Sequence, residues 1–144
     1  MEMNMHMNWK EIARATLNGA ESDEIAFAQS VKMLMEAGFE GYAVDYRHST
    51  RTYYLPDGQT LELEMPRNNA PVAEHFDGDV VRAASREAQQ LVPGYIYRGF
   101  CEKVVKAGCA GYMVSLLGKR VLYYGRTGET HTEHFPGTQS AAQP

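Results

Sequence analysis

The sequence predicts an α+β fold built from two copies of an α-α-β-β-β unit, giving a mainly antiparallel sheet packed against helices. Three observations predict it. First, shifting the chain by 70 residues places Ala37-Gly38, Gly41-Tyr42, Val44, Tyr53-Tyr54, Gly58, Thr60 and Pro66 on Ala107-Gly108, Gly111-Tyr112, Val114, Tyr123-Tyr124, Gly128, Thr130 and Pro136. These are ten identities in thirty ungapped positions, where average residue usage gives about two. Second, in each half an apolar stripe of helical period ends at Gly38 or Gly108 and gives way to alternation with period two. Third, 144 residues with 44% hydrophobic and 22% charged side chains suffice for one soluble domain with a core. Each copy of about 70 residues is instead near the size at which a lone core is marginal. The competing explanation of the identities is chance similarity between two hairpins, where Gly and Tyr are favoured in any case.

In the first half, Trp9, Ile12, Ala13 and Thr16-Leu17 recur at near-helical spacing, which predicts a helix from Trp9 to Leu17 stopped by Asn18-Gly19. Ser22 then reads as the N-cap of a second helix, with Asp23 and Glu24 opposing the positive end of its dipole. Ile25, Phe27-Ala28, Val31, Leu34 and Met35 form its apolar stripe, and Gly38 supplies a left-handed end. Tyr42, Val44 and Tyr46 alternate with Ala43, Asp45 and Arg47 in a first strand. Strands at Arg51 to Leu55 and Thr60 to Met65 follow, separated by the turn Pro56-Asp57-Gly58. In the second half Asp79 caps a helix running to Leu91, Pro93-Gly94 breaks the chain, and a further helix runs from Arg98 to Ala107. Tyr112 to Leu117 is nearly continuously apolar, which predicts a central strand covered on both faces. Strands from Arg120 to Tyr124 and from Glu129 to Phe135 complete the unit. The predicted organisation is a flexible N-terminus (1–8), a single domain (9–136) of two repeats (about 9–66 and 79–136), and a flexible tail (137–144). The connector that starts at Pro66 and reaches Pro71 reads as loosely ordered.

The 14 basic and 18 acidic residues leave a formal charge of -4, and mean hydropathy is -0.43. No basic face stands out, which argues against a nucleic-acid partner. No apolar run reaches the roughly 18 to 20 residues of a membrane helix and no signal pattern is present, so no membrane partner and a cytoplasmic location are expected. Cys101 and Cys109 are too few for a disulfide scaffold and lack metal-ligand spacing. Both are expected reduced, and no cofactor or metal is implied.

Four groups of residues invite chemistry, each with a plainer explanation. Met1 to Asn8 carries methionine at every odd position with His6 among them, a soft ligand set or a frayed start. Cys101 and Cys109 fall on Val31 and Phe39 in the repeat, which makes them small core hydrophobes before it makes them nucleophiles. Glu129, His131, Glu133 and His134 are dense in acid-base groups, but on a strand His134 points away from the other three, and a wet edge strand explains them equally. Asp45, Arg47, His48 and Arg51 on the first hairpin stand with Glu62 and Glu64 on the third strand as either a solvated charged face or the makings of a site. From these groups Asp45, Arg47, Glu62 and His131 are the candidate catalytic residues of a site between the repeats. The tyrosine pairs Tyr53-Tyr54 and Tyr123-Tyr124 send one ring to each face of the sheet, one to the core and one free for a partner.

The segments NWKEIAR (Asn8 to Arg14), AGFEGYAVDYR (Ala37 to Arg47) and YYLPDGQTLELEMP (Tyr53 to Pro66) resemble the YbcV-like family of small bacterial and prophage-borne proteins of unknown function. Some members carry the label phage envelope protein. The resemblance covers nearly the whole chain apart from the first residues and the tail, and it implies bacterial or prophage origin while carrying over no catalytic residue. The envelope label has no counterpart here, since neither an apolar span nor an amphipathic anchor is present. The expected function is a non-enzymatic cytoplasmic module that binds an unknown protein partner or forms a homodimer through a tyrosine-bearing sheet face. The alternative is a small enzyme or small-ligand-binding protein with a polar site between the two repeats.

Overall fold

Asn8 caps the first helix. Its side-chain oxygen accepts from the Glu11 N–H at 2.9 Å while its own N–H donates to the Glu11 carboxylate at 3.2 Å, a reciprocal cap. The computed structural model describes residues 8–136; the expectations for Met1 to Met7 and for 137–144 lie outside the described residues. From the Asn8 cap, helix α1 (Trp9–Glu21) leads to α2 (Phe27–Glu36) and to strands β1 (Gly41–Asp45), β2 (Thr50–Tyr54) and β3 (Thr60–Glu64). The second half repeats that order as α3 (Gly78–Gln90), α4 (Tyr97–Lys106), β4 (Cys109–Ser115), β5 (Arg120–Gly125) and β6 (Thr130–His134). The fold is α+β, with an antiparallel six-stranded sheet against four helices.

Four local expectations shift, each for a tertiary reason. Asn18-Gly19 does not stop α1, which runs to Glu21 because the bare face of Gly19 seats the Ile25 side chain where a Cβ would collide. Ser22 is therefore the C-cap of α1 rather than the N-cap of α2, whose own N-cap Ala26 makes no side-chain bond. Asp77 rather than Asp79 caps α3, accepting from the Val80 N–H at 3.3 Å. The connector is docked rather than loose. Val72 and Phe76 are buried, and the N–H groups of Ala73 and Asp77 donate to the carbonyls of Val105 and Ala107 at the end of α4.

The sheet runs β3-β2-β1-β4-β5-β6, so both halves meet at a β1–β4 seam centred on Ala43 and Met113. Gly41 and Gly111 let these backbones approach, since a Cβ on either would strike the carbonyl oxygen of Val114 or Val44 across the seam. Hydrogen bonds recur at the 70-residue offset. Tyr46 N–H donates to Ala110 O and Leu116 N–H to Glu40 O, both at 2.9 Å. All four helices lie on one face. Buried Tyr53 shares a hydroxyl bond with Thr16 of α1 at 2.8 Å, buried Tyr123 donates to Ser85 of α3 at 2.8 Å, the Tyr97 ring of α4 reaches Tyr112, and Phe27 of α2 meets Phe135 edge-on. Among the described residues the opposite face has no covering layer. Central β4 is thus covered on one side only, leaving Met113 43% exposed, and Tyr54 is 39% exposed on the same side. Its apolar run includes residues that face water, Met113 on the strand and Leu117 in the turn beyond it.

Candidate functional site

Alternation along β2 decides the chemistry of the interior. Thr52 and Tyr54 take the open face, which turns Arg51 and Tyr53 toward the helices. Arg51 is only 1% exposed, with apolar neighbours Val44 and Leu63 on the adjoining strands. Its guanidinium lies 4.5 Å from the Tyr42 ring centroid and 5.5 Å from that of Tyr97. Nη1 donates to the Tyr53 hydroxyl at 3.3 Å and Nη2 to the Tyr97 hydroxyl at 2.7 Å, and Tyr97 in turn bonds the Tyr112 hydroxyl at 3.1 Å. The Nε–H has no partner. Among the described residues, no carboxylate forms an ion pair with Arg51.

The phenols do not neutralise this charge. Burial pushes Tyr42 up to about 12 against the pull of Arg51, and burial holds Tyr97 and Tyr112 well above the usual phenol range. All three are neutral hydroxyls near pH 7. Burial opposes the Arg51 charge, the surrounding Tyr97, Tyr53, Tyr112 and Tyr42 oxygens favour it, and the guanidinium is held well above its ordinary value. Arg51 is a permanent buried cation.

It lines a cavity of about 250 Å³ between the helices and the sheet. Tyr42, Tyr97, Phe100 and Tyr112 supply aromatic walls, and Val121 of β5 occupies the position that corresponds to Arg51 in the other half. Of the exposed residues of the lining, Asp23 and Glu24 come from the α1–α2 link, Leu91 from the α3–α4 link and Gln29 from α2. These links are tied together. Asp23, at φ 61°, accepts from the Tyr97 N–H at 2.8 Å and so caps α4, whose own N-cap Ile96 has no side chain to do so. Arg98 adds an ion pair with Glu21 at 2.8 Å. Gln89 also lines the cavity, and its buried Nε2 has no partner.

The four candidate residues lie elsewhere: Asp45 and Arg47 share one turn, while Glu62 and His131 stand on opposite edges of the sheet. The Asp45 carboxylate accepts from the N–H groups of Arg47 and His48 at 3.0 and 3.1 Å, closing the β1–β2 turn. Arg47 and Glu62 are exposed, and Glu62 sits opposite Thr52 on the open face. His131 faces the helices from β6, its ring 6.3 Å from Tyr123 and its Nε2 2.8 Å from Glu133, which binds Arg86 of α3 at 3.0 Å. β3 and β6 are the two edges of the sheet, so Glu62 and His131 are five strand steps of about 4.8 Å apart. The HxxH region is thus part of an edge strand whose inward side chains are tied to α3. Arg51 itself, read as part of a charged hairpin face, is the interior residue. Its signals were its shared parity with Tyr53 and the Val121 that stands at its position in the second half.

Cys101 and Cys109 are free and fully buried. Burial raises both thiols, that of Cys109 to about 12, which keeps them protonated and unreactive. Among the described residues no cluster of three His, Cys, Asp or Glu side chains is placed to hold a metal, and no helix is long and apolar enough to cross a membrane. Neither a scan of protein-family models nor a search of curated proteins finds a match to this chain.

Proposed function

We propose that this protein is a non-enzymatic binding module that takes a small organic anion into the cavity at Arg51. The observation that carries this reading is a fully buried guanidinium with no countercharge. Such a charge is costly to hold away from water unless paired. An anion entering the cavity supplies the missing charge and an acceptor for the Nε–H. Binding rather than turnover is favoured because the lining holds no histidine, cysteine or lysine, and its Asp23, Glu24 and Ser85 are engaged with the Tyr97 N–H, Ser22 and Tyr123. The site lies between the two halves, and the bonds recurring at the 70-residue offset support an origin by duplication in which one copy acquired Arg51. The free, buried thiols suit a reducing cytoplasmic setting.

Calorimetric titration and thermal unfolding with acetate, benzoate, phosphate and chloride test the reading. At least one organic anion should bind with unit stoichiometry and raise the unfolding temperature, and Arg51→Met should remain folded and lose the effect. Failure of every organic anion to bind, or unchanged binding by Arg51→Met, rejects it. A second reading rests on the uncovered sheet face, where Met113 and Tyr54 are exposed: two copies associate through that face. Light scattering over a range of concentrations checks it, with Met113→Glu shifting the population to monomer. A strict monomer at every concentration removes it.

A further inference from the structure

We infer that the ligand is a flat aromatic monocarboxylate whose acid group meets Arg51 and whose far end offers a hydrogen-bond acceptor to Gln89. This rests on the anion-binding reading above and specifies its ligand. Charge sets the first limit. The buried guanidinium is bonded only to neutral phenols, so a single negative charge pairs it, whereas a dianion would leave an excess charge buried. The acidic rim at Asp23 and Glu24 acts in the same direction against polyanions. A carboxylate also matches the planar fork of a guanidinium, two of whose nitrogens are already held by Tyr53 and Tyr97.

Size and wall chemistry set the second limit. A cavity of about 150 Å³ already accommodates benzene, and drug-sized ligands occupy about 300 Å³ or more. At about 250 Å³ this one suits a single ring with substituents. Walls made of Tyr42, Tyr97, Phe100 and Tyr112 offer ring faces and edges to a flat partner. The unpaired donors set the third limit. Buried N–H groups rarely remain unsatisfied, and two residues of the lining, on different elements, carry one each, Arg51 Nε on β2 and Gln89 Nε2 on α3. One carboxylate satisfies the first. The second calls for an acceptor elsewhere on the same molecule.

Titration calorimetry of the full chain with para-acetylbenzoate, para-isopropylbenzoate, cyclohexanecarboxylate, octanoate and inorganic phosphate tests this. The acetyl compound should bind about tenfold more tightly than its isopropyl isostere, the effect of one matched buried hydrogen bond. Gln89→Leu should erase that ratio, and Arg51→Met should abolish binding of both. Equal or tighter binding of cyclohexanecarboxylate, octanoate or phosphate overturns the aromatic assignment while leaving an anion site at Arg51. An unaltered ratio in Gln89→Leu overturns the second contact. Binding of no anion at all overturns the underlying reading together with this one.

Discussion

Arg51 and Val121 occupy corresponding places in β2 and β5, on two sides of one cavity, and differ as much as two buried side chains can. Their inner neighbours match, Val44 beside Arg51 and Val114 beside Val121, while on the outer side Leu63 stands beside Arg51 and Glu133 beside Val121. Tyr53 follows the one and Tyr123 the other by two positions, each bonded to a hydroxyl on the first helix of its half. Glu133 is already paired with Arg86 of α3, so the rest of the frame gives the cavity little direction of its own. One guanidinium gives it one, because a ligand placed between the halves can satisfy charge in a single orientation. The closing glycines diverge in the same way. Gly38 and Gly108 both have φ near +90°, yet only Gly108 has the docked connector behind it, with the His75 carbonyl where a Cβ would go.

The largest expected effect comes from making the two walls alike. Val121→Arg would set a second buried cation beside the first and should cost about 3 kcal/mol or more of stability, or prevent folding. Arg51→Met, which makes the walls alike in the apolar direction, should leave the unliganded protein as stable as before or more so. Urea denaturation of the pair measures both; an Arg51→Met variant that unfolds as readily as Val121→Arg would show that the cation is structural. Next in size, Gly108→Ala should cost about 3 kcal/mol, since backbone strain and a backbone collision combine. Gly38→Ala meets nothing within 4 Å and should cost about 1 kcal/mol from positive φ alone. Equal shifts in urea midpoint would mean that the connector yields. The smallest contrast is between tyrosines. Tyr53→Phe loses two partners, Thr16 and Arg51, while Tyr123→Phe loses only Ser85. The first should be the more costly by about 1 kcal/mol, and identical thermal shifts would place no weight on the Arg51 bond.

Much of the architecture is legible because local signals agree with it. The apolar stripes, the glycines that end them and the switch to period two locate α2, α4 and all six strands to within a few residues. The site is less legible. Charge groups Arg51 with Asp45, Glu62 and Glu64, although strand parity aligns it with Tyr53 and against Glu62, and parity governs burial. Asp23 follows a serine just ahead of an apolar stripe and so imitates the start of its own helix. It caps α4, 74 residues along the chain, and no local pattern announces that. The connector reads as a linker because prolines, asparagines and acids surround Val72 and Phe76, the two side chains that anchor it.

The seam has a consequence for how the molecule forms. Every strand pair but β1–β4 joins neighbours in the chain, and short loops close with less loss of entropy than long ones. Each meander can therefore assemble early, while β1 and β4 must meet across a closure of about 70 residues, the kind of contact that slows folding. Arg51 finds Tyr53 on its own strand, but Tyr97 and Tyr112 belong to the other half and arrive only with that closure. Until then the guanidinium keeps its water. The late step of folding and the completion of the cavity are one event, so any ligand that occupied the cavity would act chiefly as a brake on unfolding.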